Sequence, residues 1–130
     1  MILGFDPGRD KCGIALINDQ REILYHQVVD SQEAISTINT LFQKYHPELL
    51  VMGNQTTSQT WKQQLESQLT TSIPIVMVDE RNSTREAGDR YWEMYPPQGL
   101  TRFIPLSLRI PPRPLDDIVA ILLIERYCSR

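Results

Sequence analysis

Acidic residues stand at three separated places in the chain: Asp6, the adjacent Asp79 and Glu80, and the adjacent Asp116 and Asp117. Carboxylates crowded into one site repel one another and raise one another's pKa unless a cation lies between them. An all-oxygen donor set selects a hard divalent ion, Mg²⁺ or Mn²⁺, and the lack of a Cys and His cluster argues against zinc. Two such ions roughly 3.5–4 Å apart activate a water and stabilise the leaving oxygen of a phosphodiester. The chemistry expected of these acids is hydrolysis of a nucleic-acid backbone with no covalent enzyme intermediate. Each acid also has a plainer use. Asp6 precedes Pro7 and Gly8, where an Asp bonds its own backbone to start a turn. Asp116 and Asp117 follow Pro114, where acids favour a helix N-terminus. Asp117, however, leads directly into an apolar run, so its charge is expected against the sheet edge and not in water. Successive strand residues face opposite sides, so only one of Asp79 and Glu80 reaches a shared site.

The elements that must carry these acids follow from periodicity. Ile2 to Phe5 is an apolar run stopped by Asp6, Pro7 and Gly8, and a second run begins at Ile14; two antiparallel strands joined by a turn are expected. Residues 22–29 read as a third strand, with His26 in a polar slot and expected at the surface. Asp30 and Glu33 have the spacing of a capping box, and Ile35, Ile38, Leu41, Phe42 and Tyr45 mark one helical face closed by His46 and Pro47. Leu49 to Met52 is a buried strand followed by the polar loop Asn54, Gln55, Thr56, Thr57 and Ser58. Trp61, Leu65 and Leu69 then share a helix face, residues 73–78 read as another buried strand, and Ser83 with Glu86 suggests a second capping box opening a helix to about Tyr95. Six of the nine prolines fall in residues 96–114, read as a long ordered loop because Phe103, Ile104, Leu106, Leu108 and Ile110 interleave with them. Residues 115–128 form a final helix buried nearly all round. The result is an α/β chain with a five-stranded mixed sheet of order 3-2-1-4-5, strand two antiparallel, flanked by helices. Right-handed crossovers make strands one, four and five parallel, and ligands gather at the carboxyl ends of such strands. Asp6, Asn54, Gln55, Asp79 and Glu80 converge there.

Composition sets the outer bounds. A chain of 130 residues fits a single domain spanning 1–130, and 41% hydrophobic with 22% charged residues is ordinary for a globular fold. The net charge of −3 gives no global electrostatic footprint for nucleic acid, although clustered site carboxylates would themselves pull the total down. Cys12 and Cys128 lack metal-ligand spacing and read as reduced thiols. Without a signal peptide or an apolar span long enough for a bilayer, a soluble, cytoplasmic protein with no membrane partner is expected.

Three motifs then carry a resemblance. Asp6-x-Gly8-x-x-x-x-Gly13-Ile-Ala, Asp79-Glu80-Arg81-x-Ser83-Thr84-x-x-Ala87 and Asp117-x-x-Ala120 resemble the motifs of the YqgF/RuvX family, in order and spacing, from Met1 to about Tyr127. The Asp-Glu-Arg-x-Ser-Thr motif is the specific one; the first is shared with phosphate-binding loops of sugar kinases and actin-like ATPases. The resemblance implies a Holliday-junction-resolvase-like nuclease with an RNase H-like fold, acting in ribosome biogenesis on precursor small-subunit (pre-16S) ribosomal RNA. It implies Asp6, Glu80 and Asp117 as the catalytic, metal-binding carboxylates, with Asp79 and Asp116 as the neighbours that compete for those roles. The chain departs from the family pattern at residues 54–58, in the length and apolar character of residues 96–114, and at Ile121, where Ala is usual.

Arginines are concentrated between residues 81 and 113, which hold six of them against three acids, a net of +3 that leaves −6 elsewhere. Arg81 and Arg113, beside the acids, are the expected phosphate contacts, with Asn54 and Gln55 positioning phosphate or water. The expected partner is structured RNA or branched DNA, and a homodimer covering the apolar loop suits a two-fold substrate. Two other readings are a catalytically silent binding module on the same fold and, less favoured, ATP binding at the Gly8 and Gly13 turn.

Overall fold

A computed structural model describes residues 1–54 and 57–129. Its sheet has the order β3-β2-β1-β4-β5. β1 (Ile2–Asp6) and β2 (Lys11–Ile17) form the opening hairpin, pairing Asp6 with Gly13. β3 (Ile23–Asp30) continues antiparallel from β2. β4 (Leu49–Gly53) lies parallel to β1, and β5 (Ile75–Val78) parallel to β4. The topology expected from the sequence is the topology observed.

Side-chain alternation assigns the two faces of the sheet. Leu3, Phe5, Cys12, Ile14, Leu16, Leu50 and Met52 pack with Ala34, Ile38, Leu41 and Phe42 of α1 (Ala34–Tyr45) and Leu65 of α2 (Ser58–Gln68). Trp61 joins this core edge-on to Phe5, at 5.3 Å between ring centroids. On the opposite face, Ala15, Ile17 and Val51 meet the all-apolar middle of α4 (Asp116–Cys128), flanked by α3 (Ser83–Met94).

Glycines set how closely α4 approaches. A Cβ on Gly4 would stand 2.4 Å from the Ala120 carbonyl oxygen, and one on Gly13 only 1.8 Å from that of Asp116. The backbone of α4 therefore rests directly on the hairpin, which fixes the depth at which its first turn meets the end of β1.

Several local expectations are corrected. Neither capping box forms. Asp30 pairs with Lys11 while residues 31–33 make a 3₁₀ turn, and α3 begins after Asn82 in a left-handed conformation (φ 63°) with no side-chain cap. Ser83 is instead buried. β5 is an edge strand, mostly half-buried, because a strand with one neighbour cannot be covered like β4. Residues 96–114, expected as one long loop, contain two 3₁₀ turns, Gly99–Phe103 and Leu106–Leu108, and their large apolar side chains are exposed. Leu100 is 84% exposed, Phe103 72% and Ile110 86%. Among the described residues no helix is long and apolar enough to cross a membrane.

Candidate active site

The carboxyl edge of β1, β4 and β5 gathers the acids. Asp6 ends β1 on the α4 face and is 6% exposed. Its carboxyl interacts with that of Asp116, the first residue of α4. Burial is the main cause of a raised Asp116 pKa, and the charge of Asp117 adds to it, against lowering by its own backbone N–H and by Asp6. Two neighbouring carboxyl groups repel when both are ionised, a repulsion that a cation between them relieves.

Glu80, just past β5, folds back over Gly53 at the end of β4. A Cβ on Gly53 would lie 2.6 Å from the Glu80 Oε2, so the missing side chain is what leaves room for that carboxylate. Gly53 follows the Phe5–Met52 rung of the β1–β4 ladder and lies next to Asp6 in register, which puts Glu80 on the same edge and face. Burial raises the Glu80 pKa, Asp79 raises it further, and Arg126 opposes both. Asp79 turns outward, its Oδ1 accepting the Arg81 backbone N–H at 2.9 Å. Arg126, near the other end of α4, donates to the Asp79 and Arg81 carbonyls at 2.7 Å each and to Glu86 at 2.8 Å. The segment carrying Glu80 is thus pinned to the helix that carries Asp116.

One step along a helix turns a side chain by about 100°, and Asp117 faces β3. There it is 2% exposed and meets His26 Nδ1 at 2.7 Å and both terminal nitrogens of Arg113 at 2.9 and 3.3 Å. Burial pushes the Asp117 pKa upward, but the hydrogen bonds from Arg113 and His26 outweigh it and hold the carboxyl below its ordinary value. The expectation that Asp117 is tucked away is met, by an ion pair with Arg113 and a hydrogen bond with His26. His26, expected at the surface, is half-buried, with its Nε2 3.3 Å from the Tyr95 hydroxyl. Its partner across the hairpin is Ala15, whose small side chain leaves space for the imidazole to reach α4. That alternation of a polar residue against a small one on the α4 face was the available signal. Lys11, His26, Tyr95, Arg113 and Asp117 line a cleft of about 490 Å³ beside the acidic edge.

Of the expected substrate contacts, Arg113 is engaged with Asp117 and with the Pro114 carbonyl, its guanidinium over the rings of Tyr91 and Tyr95. Arg81 is exposed at the rim. Asn54 is exposed, its N–H donating to Val78. Gln55 lies outside the described residues. Among the described residues no three acidic, His or Cys side chains already stand together as a metal cage.

The family model described as RuvX, Holliday junction resolvase, matches residues 1–98. This chain belongs to the RuvX family. No curated protein matches it. Among solved structures, Thermus thermophilus RuvC in complex with a Holliday junction substrate is similar with 17% identity and a TM-score of 0.55, over 94% of this chain and 88% of that one. A further structure of Thermus thermophilus RuvC has 15% identity over the same shares, with a TM-score of 0.48. The first likeness establishes the RNase H-like fold. The RuvX match covers Asp6, Glu80 and Arg81 and stops before α4.

Proposed function

We propose that this RuvX-family chain is a divalent-metal-dependent nuclease hydrolysing phosphodiester bonds in structured nucleic acid, with Asp6, Glu80 and Asp116 as its working carboxylates. The observation that carries this reading is the Asp6–Asp116 contact at the edge where Glu80 folds over Gly53. The donor set is all oxygen and suits Mg²⁺ or Mn²⁺. Burial raises the Asp116 and Glu80 pKa values, and the neighbouring charges of Asp117 and Asp79 add to it, a cost that a bound cation would offset. Asp6 and Asp116 would hold the ion, joined by Glu80. A divalent ion bound there supplies an activated water and charge compensation for the leaving oxygen. The protein's own part is to hold its acids on one rigid edge, with Asp117 steadying Arg113 and His26 beside them. Arg113 and the exposed Arg81 would face the phosphates.

Two substrates belong in the same assay. The motif resemblance favours the ribosomal RNA precursor, and the family description favours a four-way DNA junction. Cleavage of each with Mn²⁺ is to be compared for the native protein and for Asp6→Asn, Glu80→Gln, Asp116→Asn and Asp117→Asn. The first three are expected to be inactive and the fourth to retain cleavage. Undiminished cleavage by those first three would overturn the reading. Calorimetric titration with Mn²⁺ in buffers of different ionisation enthalpy gives a second readout: binding should release protons and tighten as pH rises, because Asp116 and Glu80 must ionise to bind.

A further inference from the structure

The segment between α3 and α4 is the largest feature that the catalytic edge does not use. Residues 95–115 contain Arg102, Arg109 and Arg113 and no acid or lysine. Leu100, Phe103, Ile104, Leu106, Leu108 and Ile110 are all exposed. So many outward apolar groups on one short segment mark an interaction surface, since scattered single residues are the norm on a monomer. The surface is also preorganised. Two 3₁₀ turns shape it, Arg109 Nε donates to the Ile104 carbonyl at 2.8 Å, and the same guanidinium lies 5.8 Å from the centre of the Trp92 ring on α3. At its outer side Arg102 lies over the Phe103 ring at 4.9 Å, presenting an aromatic face and a cation together.

Charge chooses the occupant. In a two-fold contact the same patch meets itself, which would bring two sets of arginines into one interface with no acid of the segment to pair them. A polyanion has no such conflict. A closed duplex offers phosphates to the arginines but hides its base faces. A nucleic acid with unstacked bases offers both, and base stacking on an aromatic side chain next to an Arg is a general mode of single-strand recognition. The loop joins directly to α4, whose first residue is Asp116, so whatever it grips is tethered to the acidic edge.

We infer that residues 95–115 form the surface that distinguishes branched or partly unpaired nucleic acid from plain duplex, with Phe103 stacking on an exposed base and Arg102 and Arg109 holding the flanking phosphates. The inference rests on the nuclease reading for its substrate class but concerns selection, not cleavage. Its test uses the full chain carrying Asp6→Asn, so that nothing is cut, with Phe103→Ala added or not. The probes are a four-way DNA junction carrying 2-aminopurine at the branch and a duplex of equal length. Phe103→Ala should weaken junction binding by roughly 5- to 100-fold, leave duplex binding unchanged, and abolish the 2-aminopurine fluorescence change. Arg102→Ala should lower the salt dependence of binding by about one counterion. Equal losses on both probes, or none on the junction, would overturn the inference. So would a Phe103→Ala effect confined to sedimentation of a dimer or to binding of anionic vesicles. If neither the native nor the Asp6→Asn chain binds either nucleic acid, the nuclease reading fails with it. If the native chain cuts the junction and Phe103→Ala changes nothing, only the loop's role is lost. Phe103 is exposed, so circular dichroism should show an intact fold.

Discussion

Asp116 and Asp117 are neighbours with opposite surroundings, and pH separates them. The folded Asp116 holds its proton more tightly than an unfolded Asp does, so its contribution to stability falls as pH rises from the ordinary Asp pKa to its raised folded value. Asp117 has a lowered folded pKa, so the stability it adds is present above the ordinary value of about 4 and is lost as pH falls through its folded value. Asp116→Asn should accordingly leave the metal-free protein as stable or more so near neutral pH, with Tm up by as much as about 4 °C. The same change should cut cleavage by more than about 100-fold, beyond the loss typical of an outer-shell substitution. Asp117→Asn should cost about 2 kcal/mol by leaving Arg113 half-paired, with cleavage reduced only modestly. Thermal melts and single-turnover assays of the two variants decide the matter. The sequence made Asp6 and the Asp79 and Glu80 pair legible because strand ends and alternation place them. It left the choice within the second pair open because a quarter-turn of one helix, set by where Gly13 lets it sit, separates the two acids. His26 was missed for a related reason: a polar slot on a strand reads as surface unless the helix above it is known to carry a carboxylate.

The strands and α1 to α4 follow hydrophobic period closely, and their order was legible because crossovers leave few alternatives. The capping boxes failed because spacing alone says nothing of competing partners: Lys11 holds Asp30, and Arg126 holds Glu86. What sequence pattern cannot show is the distance between layers. Gly13→Ala puts a methyl group into the α4 backbone and is expected to cost at least about 3 kcal/mol, seen as a lowered denaturation midpoint. Gly53→Ala meets only the tip of a movable Glu80 side chain. It should keep Tm within about 2 °C while lowering cleavage at least about 10-fold, a dissociation of stability from activity that melting and kinetics measure together. Should Gly53→Ala unfold the chain, or leave both properties intact, the placement of Glu80 over that glycine is not what the site depends on.

Across the molecule, α4 touches every strand, carries Asp116 and Asp117 at one end and anchors the Glu80 segment through Arg126 near the other. Arg126→Met, which keeps the apolar stem, should weaken Mn²⁺ affinity by about 10-fold although the residue binds no ion. Calorimetry reads this directly. An unchanged affinity would show that the Glu80 segment keeps its place without the tether. On the proposed reading, an acidic edge held at both ends by the helix that also fills the core has little freedom to open or close around a guest. Adaptation during turnover then falls to the nucleic acid, whose own readiness to bend and unstack would set which strands are cut and how fast.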